Sequence, residues 1–209
     1  STDNAYVNAE VAQITPSITG TVTEVAVKDT QTVKRGDVLV RIDPANAHIA
    51  MAEAAADLAA ARRRFRQMVA TSGALSSQVL ARSAGIAEAR ARLGAAQAEL
   101  DKARIDLRRR EALAASGAVS GDELTAARKA LASAQAAMAS AQAGIALAES
   151  NRSAASGELA ANNAMVAGSS EETDPAVMAA KAKLEAARLD IERTTIRAPI
   201  DGTVTRRQV

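Results

Sequence analysis

The sequence has 209 residues, a formal net charge of +2 and an aromatic content of only 1%. Because aromatic side chains supply much of the buried area of a large core, this mostly alanine-based apolar composition favours thin seams between helices over a thick globular core. The near-neutral charge gives no reason to expect a nucleic-acid partner, and the absence of cysteine excludes disulfides and thiolate metal sites.

Residues 6–43 have the pattern of short β-strands. Their regularly spaced apolar residues are Val22, Val25, Val27, Val38, Val40 and Ile42. Gly20 and the pair Gly36-Asp37 separate these runs and predict turns. Since residues spaced by two lie on the same side of a strand, we expect a small β unit with one buried face.

A seven-residue repeat begins after Asp43-Pro44 and predicts one long helix. Its large members are Met51, Leu58, Phe65, Val79, Ile86, Leu93, Leu100 and Leu107, with Ser72 between Phe65 and Val79. An alanine follows most of them three residues later, which is typical of a coiled-coil seam in which helices approach closely. The register continues across residues 71–73 (Thr-Ser-Gly), so we expect one helix with a weak point there, and not two helices.

The repeat stops around residues 116–119 and resumes after Ser120. Glu123 follows Ser120 by three residues, which is the pattern of a capping box at a helix start. The second series is Leu124, Leu131, Met138, Ile145, Leu159 and Val166, with Arg152 as its one polar member. An antiparallel helical hairpin explains both series, with arms of about 70 residues and roughly 100 Å.

A second break lies at residues 168–175, Gly-Ser-Ser-Glu-Glu-Thr-Asp-Pro. These residue types predict a helix end, a loop and a new helix start. Val177, Leu184 and Ile191 then restore the repeat, shifted by four residues relative to Val166. We therefore expect the extra residues to form a loop outside the seam.

A short motif occurs near both ends of the chain. Residues 14–23 read ITPSITGTVT and residues 196–205 read IRAPIDGTVT, which share the pattern I-x-x-x-I-x-G-T-V-T. Two such halves are what a pseudo-symmetric β-sandwich needs if its halves are to pair, with the hairpin inserted between them. The sequence predicts an α+β fold of this kind.

The two motifs resemble the halves of a lipoyl-like domain. GTVTEVAVKDTQTVKRGDVLVRID, residues 20–43, is similar to the first half, and IRAPIDGTVT is similar to the second. The structural positions of these half-motifs are Gly20, Val22, Gly36, Asp37, Pro199, Gly202 and Val204. The modified lysine of biotin or lipoyl carriers has no counterpart, because Asp43-Pro44 opens the hairpin instead.

This combination resembles the periplasmic adaptor family, or membrane fusion proteins, of tripartite export pumps. TDNAYVNAEVAQI at residues 2–14, with RAPIDGTV near the end, is most similar to the EmrA-type multidrug adaptors of the HlyD-like group. The resemblance implies a barrel strand at 1–13, lipoyl halves at 14–43 and 194–209, the latter truncated, and a hairpin at 44–193. Its tip would lie at about 115–121 and its loop at about 168–175.

Adaptors of this family that dock onto an outer-membrane channel are similar at the hairpin tip. They carry an arginine, a leucine four residues on and a serine seven further, and Arg109, Leu113 and Ser120 have that spacing. An arginine can bind carbonyls or carboxylates of a partner, and a leucine supplies an apolar anchor. From spacing alone, the alternative is that Leu113 closes the hairpin, Ser120 is only an N-cap and Arg109 is solvated.

The resemblance also implies partners and a location. It implies a non-enzymatic scaffold that links an inner-membrane transporter of the major facilitator class to an outer-membrane channel of the TolC type, for efflux of drugs or other toxic compounds. The protomers would assemble as a trimer or hexamer. The protein would lie in the periplasm, anchored in the inner membrane through an N-terminal segment absent from this chain.

Chemical sites are not indicated by the sequence. His48 is the only histidine and has no second histidine or cysteine with which to share a metal, so a surface helix residue is the simpler interpretation. We expect no catalytic residue, metal or cofactor. A type I protein secretion adaptor, a structural module without a transport role, a biotin or lipoate carrier and a membrane-surface helix remain as alternatives.

Overall fold

The computed structural model describes residues 10–205 and has the predicted α+β fold. The helices are α1 (Ala45–Ala114), α2 (Gly121–Val166) and α3 (Pro175–Arg193). The strands are β1 (Val22–Val25), β2 (Thr32–Val33), β3 (Val38–Ile42), β4 (Thr195–Arg197) and β5 (Gly202–Thr203). The expected barrel strand lies mostly outside the described residues, and residues 10–13 form no strand.

The chain divides into two compact units, which we call the base and the shaft. The base comprises residues up to 65 and from 169 onward, and therefore contains the strands, the start of α1 and all of α3. The shaft comprises residues 66–168, which are the rest of α1, the tip turn and α2.

The strands of the base join the two ends of the chain. One sheet has the order β1-β3-β4, and a second contains β2 and β5, with antiparallel pairing throughout. In both sheets a strand from before the helices pairs with one from after them. The expectation that the two half-motifs meet in one domain is therefore correct. The two motifs differ at their starts. The second motif begins within β4, whereas residues 14–17 of the first motif are exposed and belong to no strand.

The core of the β unit lies between the two sheets. Val27, Val33, Leu39 and Ala198 form a buried cluster, with Val40 and Val204 packed against it. Leu39 and Ile42 are both buried, although they are three positions apart on β3. The register with β4 shifts between Val38 and Val40, so strict alternation is interrupted at Leu39, which packs in the same cluster as Val40.

The helices have the seam that the seven-residue repeat predicts. Every large apolar member of the repeat from Met51 to Ile191 is buried or half-buried, whereas Arg152 is exposed. The α1 helix continues through residues 71–73 without interruption, as expected. In the base, α1 contributes Ala54 and Leu58 to a cluster whose other members come from α3, namely Val177, Ala180, Leu184 and Ala187.

The loop between α2 and α3 is held by local hydrogen bonds. The Ser170 and Thr173 side chains each accept a backbone N–H of the other residue, at 3.3 and 2.7 Å. Asp174 is buried and caps α3, since its carboxylate accepts the N–H groups of Ala176 and Val177. The α3 helix then begins at Pro175, where a missing N–H has no consequence.

The acidic part of this loop contacts α1 of the base. The Arg62 guanidinium lies 3.0 Å from a Glu172 oxygen and 3.9 Å from a Glu171 oxygen. Lys181 of α3 also pairs with Glu172. The Lys181 hydrogen bond, with the nearby Arg62 charge, holds the pKa of Glu172 below its usual range.

No helix within residues 10–205 combines the length and the apolar character that crossing a bilayer requires.

Candidate functional site at the hairpin tip

The outgoing helix ends in a tight turn of hydrogen bonds around Leu113. The Leu113 carbonyl accepts the N–H groups of Ser116 and Ala118 at 3.2 and 3.1 Å and the Ser116 hydroxyl at 2.8 Å. Gly117 has a φ of +77°, the left-handed conformation that a glycine adopts without steric cost. The chain therefore reverses within residues 115–120.

The returning helix begins at a complete capping box. The Ser120 hydroxyl accepts the Glu123 N–H at 3.2 Å, and the Glu123 carboxylate accepts the Ser120 N–H at 3.0 Å. Arg110 lies 3.9 Å from the same carboxylate. The hydrogen bonds from the Ser120 backbone and side chain, with the Arg110 charge, lower the pKa of Glu123. The cap predicted from sequence is therefore present.

The three candidate docking residues all lie at this end of the shaft. Leu113 is 49% exposed, which is more than any seam leucine of the shaft, since these are half-buried or buried. Arg109 is exposed one helical turn earlier, and within residues 10–205 its guanidinium has no ion-pair partner. The Ser120 hydroxyl also donates to Glu123 at 3.1 Å, so its proton is already engaged. The tip thus offers an apolar side chain and a free cation more readily than a hydroxyl donor.

Two shallow grooves flank the seam below the tip, and their chemistry differs. One groove is lined by Leu107 and Leu131 with the arginines Arg104 and Arg108 at its edges. The other has a floor of alanines from both helices and charges of both signs, including the Arg110 and Glu123 pair. The sequence did not reveal these grooves, because they depend on how the two helices are aligned.

The lipoyl-like half-motif residues occupy turns and pairings of the base. A Cβ on Gly20 would lie 2.5 Å from the Ile42 side chain, so only glycine allows this approach. Gly36 has a φ of +93° and donates to the Ala198 carbonyl. The remaining positions are in or beside paired strands, namely Val22, Asp37, Pro199, Gly202 and Val204.

No metal-binding arrangement occurs in the described part of the chain, since it has no cluster of three or more histidine, cysteine or acidic residues that could hold an ion. His48 is exposed on the first turn of α1.

A comparison with known protein families shows to which family this chain belongs. The family described as "EMRA, alpha-helical hairpin domain" matches residues 45–194, which include all three helices. The chain belongs to the EmrA family. The predicted resemblance is thereby confirmed.

Curated relatives of this EmrA-family chain are bacterial resistance proteins. It is 34% identical over 208 residues to the multidrug export protein EmrA of Escherichia coli strain K12. It is 39% identical over 208 residues to the fatty acid resistance protein FarA of Neisseria gonorrhoeae. Each alignment covers 100% of this chain and 46% of the relative, so the chain spans about half the length of these proteins.

A solved structure supports the fold. The soluble domain of LipC, a membrane fusion protein of a type I secretion system, matches 95% of this chain and 91% of its own, with a TM-score of 0.50 and 17% identity. At this identity the match concerns the fold alone.

Proposed function

We propose that this EmrA-family chain is part of a periplasmic adaptor of a tripartite efflux pump. The adaptor links an inner-membrane transporter of the major facilitator class to an outer-membrane channel of the TolC type. The base belongs near the inner-membrane partner, and the hairpin tip contacts the channel. The names of two relatives, a multidrug export protein and a fatty acid resistance protein, support toxic apolar or amphipathic compounds as the cargo.

One observation carries this proposal. The shaft ends in a short, capped turn beside which Leu113 is 49% exposed and Arg109 has no ion-pair partner among the described residues. An exposed leucine is not informative by itself. Together with an adjacent cation, however, it has the composition of a small anchor that inserts into a partner and hydrogen-bonds at its edge.

The remaining expectations follow from this function. The protein acts as a scaffold without chemistry of its own, and several protomers surround a conduit as a trimer or hexamer. It is periplasmic and anchored at the inner membrane. The boundaries proposed for the domains are a barrel segment at 1–13, of which residues 10–13 form no strand, lipoyl-like halves at 14–43 and 194–209, and a hairpin at 44–193.

The test is a drug-efflux assay in cells that express the full-length protein with Leu113→Asp. A carboxylate placed in an apolar docking contact is costly to desolvate, so we expect resistance to be lost. Leu147→Asp is the matched control, because Leu147 is a 63% exposed leucine on the shaft, away from the tip. Both variants should be expressed and fold normally.

The outcomes separate the alternatives clearly. Loss of efflux in Leu113→Asp alone supports tip docking. Normal efflux with Leu113→Asp would mean that Arg109, Leu113 and Ser120 form only a hairpin turn. Loss of protein secretion instead of drug resistance would favour a type I secretion adaptor.

A further inference from the structure

The seam of the shaft and its edge contain two sets of hydrogen-bonded polar residues that docking does not explain. They are Ser72 and Ser83 of α1 and Arg152, Asn162 and Asn163 of α2, which we call the polar layer. At Ser72 and Arg152 the repeat would place apolar residues.

The first half of the polar layer joins Ser72 to two asparagines. The Asn162 amide donates to the Ser72 hydroxyl at 2.6 Å and to the Met68 carbonyl at 2.9 Å. The Ser72 hydroxyl in turn donates to the Asn163 side-chain oxygen at 2.7 Å. Ser72 and Asn162 are both half-buried, so these groups depend on each other for much of their hydrogen bonding.

The second half joins Arg152 to Ser83. The Arg152 Nε donates to the Ser83 hydroxyl at 3.0 Å, and that hydroxyl donates to the Val79 carbonyl at 3.0 Å. Ser83 is half-buried, and its hydroxyl is satisfied on both sides. The exposed Arg152 therefore reaches from the edge of the seam to a specific partner on the other helix.

The two halves of the polar layer are separated by the same number of residues on α1 and on α2. Ser72 and Ser83 are eleven residues apart on α1, and Arg152 and Asn163 are eleven residues apart on α2. Both contacts can therefore form only in one alignment of the antiparallel helices. If α2 shifted by seven residues, Ser83 would lie opposite Ile145 or Leu159, and its hydrogen bond with Arg152 would be lost.

The apolar part of the seam does not distinguish one register of the two helices from another. Its leucines, isoleucines and alanines recur every seven residues, so a shift of seven replaces one apolar contact by a similar one. The tip turn fixes the alignment near residue 117, but the polar layer lies more than thirty residues away along α1. Polar residues within a seam are known to select register at some expense of stability.

We propose that the polar layer selects the register of the hairpin, excluding alignments of α1 with α2 that the repetitive apolar seam would otherwise permit. It acts through the half-buried groups of Ser72, Ser83 and Asn162, whose hydrogen bonds across the seam form in one alignment and are lost in those shifted by seven. The proposal concerns the hairpin itself and does not depend on docking.

Cysteine cross-linking tests the proposal. The chain has no cysteine of its own, so only introduced cysteines can be cross-linked. The reporter for the native register is Arg90→Cys with Glu149→Cys, since these side chains form an ion pair at 3.6 Å. The reporters for shifted registers combine Arg90→Cys with Gln142→Cys or Ser156→Cys, seven residues to either side. A short bismaleimide should link only the native pair in the unaltered seam.

The decisive variant combines Ser72→Leu, Arg152→Leu and Asn162→Leu, which removes both halves of the polar layer and makes the seam apolar at these positions. We expect cross-linking of the shifted pairs to rise roughly tenfold, as loss of one unsatisfied-group penalty predicts. The melting temperature should be unchanged or higher. Ser76→Leu with Asn151→Leu is the matched control, since both positions are exposed and outside the polar layer.

A native-only cross-linking pattern in the leucine variant would overturn the proposal. If that variant fails to fold by circular dichroism, the combination of Ser72→Ala, Arg152→Ala and Asn162→Ala is judged by the same reporters. Shifted cross-links in the alanine variant support the proposal, and their absence there overturns it. Equal shifted cross-linking in the Ser76 and Asn151 control would also count against it, because the effect would then not be specific to the polar layer.

Discussion

The base and the shaft use the same heptad repeat but bury it to different depths. In the base, Val177 is 0% exposed and Leu184 is 8% exposed, because α3 packs on α1 beside a β unit with its own core. In the shaft, the seam residues of two helices are mostly half-buried, with Leu100, Ala127 and Ala155 the buried exceptions. Burial depth is therefore set by the number of elements that meet, and not by the repeat alone.

The difference has an energetic consequence. Buried apolar area is the main favourable term in folding, so each large residue of the base contributes more than its equivalent in the shaft. The shaft compensates by length and by polar contacts between its helices, such as those of Ser72 and Arg152.

Truncation of a seam leucine should show the largest contrast. We expect Leu184→Ala to lower the free energy of unfolding by about 3 kcal/mol, because it leaves a cavity in a closed cluster. Leu131→Ala is the matched change at a half-buried shaft position and should lower it by about 1–2 kcal/mol. Urea unfolding followed by circular dichroism measures both. Equal losses would show that the two seams are packed alike.

Glycine substitutions should have opposite signs in the two units. Gly20→Ala would place a Cβ 2.5 Å from the Ile42 side chain, and we expect a loss of about 1–3 kcal/mol. Gly94 is an exposed glycine inside α1 with nothing within 4 Å of an added Cβ. Gly94→Ala should therefore stabilise the shaft by about 0.5–1 kcal/mol through helix propensity. Thermal unfolding of the two variants makes the comparison, and a destabilised Gly94→Ala would contradict it.

The two helix caps provide a smaller contrast of the same kind. Asp174 is 5% exposed and caps α3 in the base, whereas Ser120 is exposed at the tip. We expect Asp174→Ala to cost about 2 kcal/mol and Ser120→Ala about 1 kcal/mol. Hydrogen exchange at the first turns of α3 and α2 would locate each effect. A larger loss at Ser120 would mean that the tip turn depends on its cap more than its exposure suggests.

The smallest expected effects on stability come from the ionisation of two exposed carboxylates, one in each unit. The pKa of Glu172 is lowered chiefly by Lys181, and that of Glu123 chiefly by Ser120. Because each folded-state pKa lies below the ordinary value of 4.5, the associated stabilisation is present above pH 4.5 and is lost as the pH falls through the lowered pKa. Lys181→Met should raise the pKa of Glu172 and leave that of Glu123 unchanged, as measured by carboxyl NMR titration. A matching rise at Glu123 would show that the effects are not local.

Much of the fold follows from spacing along the chain. The repeat predicted the seam from Met51 to Ile191, the turn before Ser120 and the continuity of α1 through residues 71–73. These features depend on local periodicity and capping, which act over a few residues.

Features that depend on alignment between distant segments were beyond sequence reasoning. The contacts of Asn162 with Met68 and Ser72 join residues about 90 positions apart, and no repeat marks the asparagines as partners. Likewise, nothing in the sequence connects Arg62 with Glu172 of the distant loop. The burial of Leu39 was missed because simple alternation along β3 does not reveal the register shift between Val38 and Val40.

The candidate tip residues were predicted by a resemblance to the adaptor family, and their placement at a capped turn agrees with that expectation. Their docking role stays a prediction. The structure adds that the Ser120 proton is already donated to Glu123, so Leu113 and Arg109 are the better candidates for direct contact.

The most direct test of tip docking is cross-linking at Leu113 in living cells. The full-length protein would carry Leu113→Cys labelled with a benzophenone maleimide, with Leu147→Cys as the shaft control and with any cysteine outside these 209 residues replaced by serine. We expect light to join Leu113→Cys, but not Leu147→Cys, to an outer-membrane channel identified by mass spectrometry. Absence of any channel product at Leu113→Cys, in cells where efflux is active, would contradict the account.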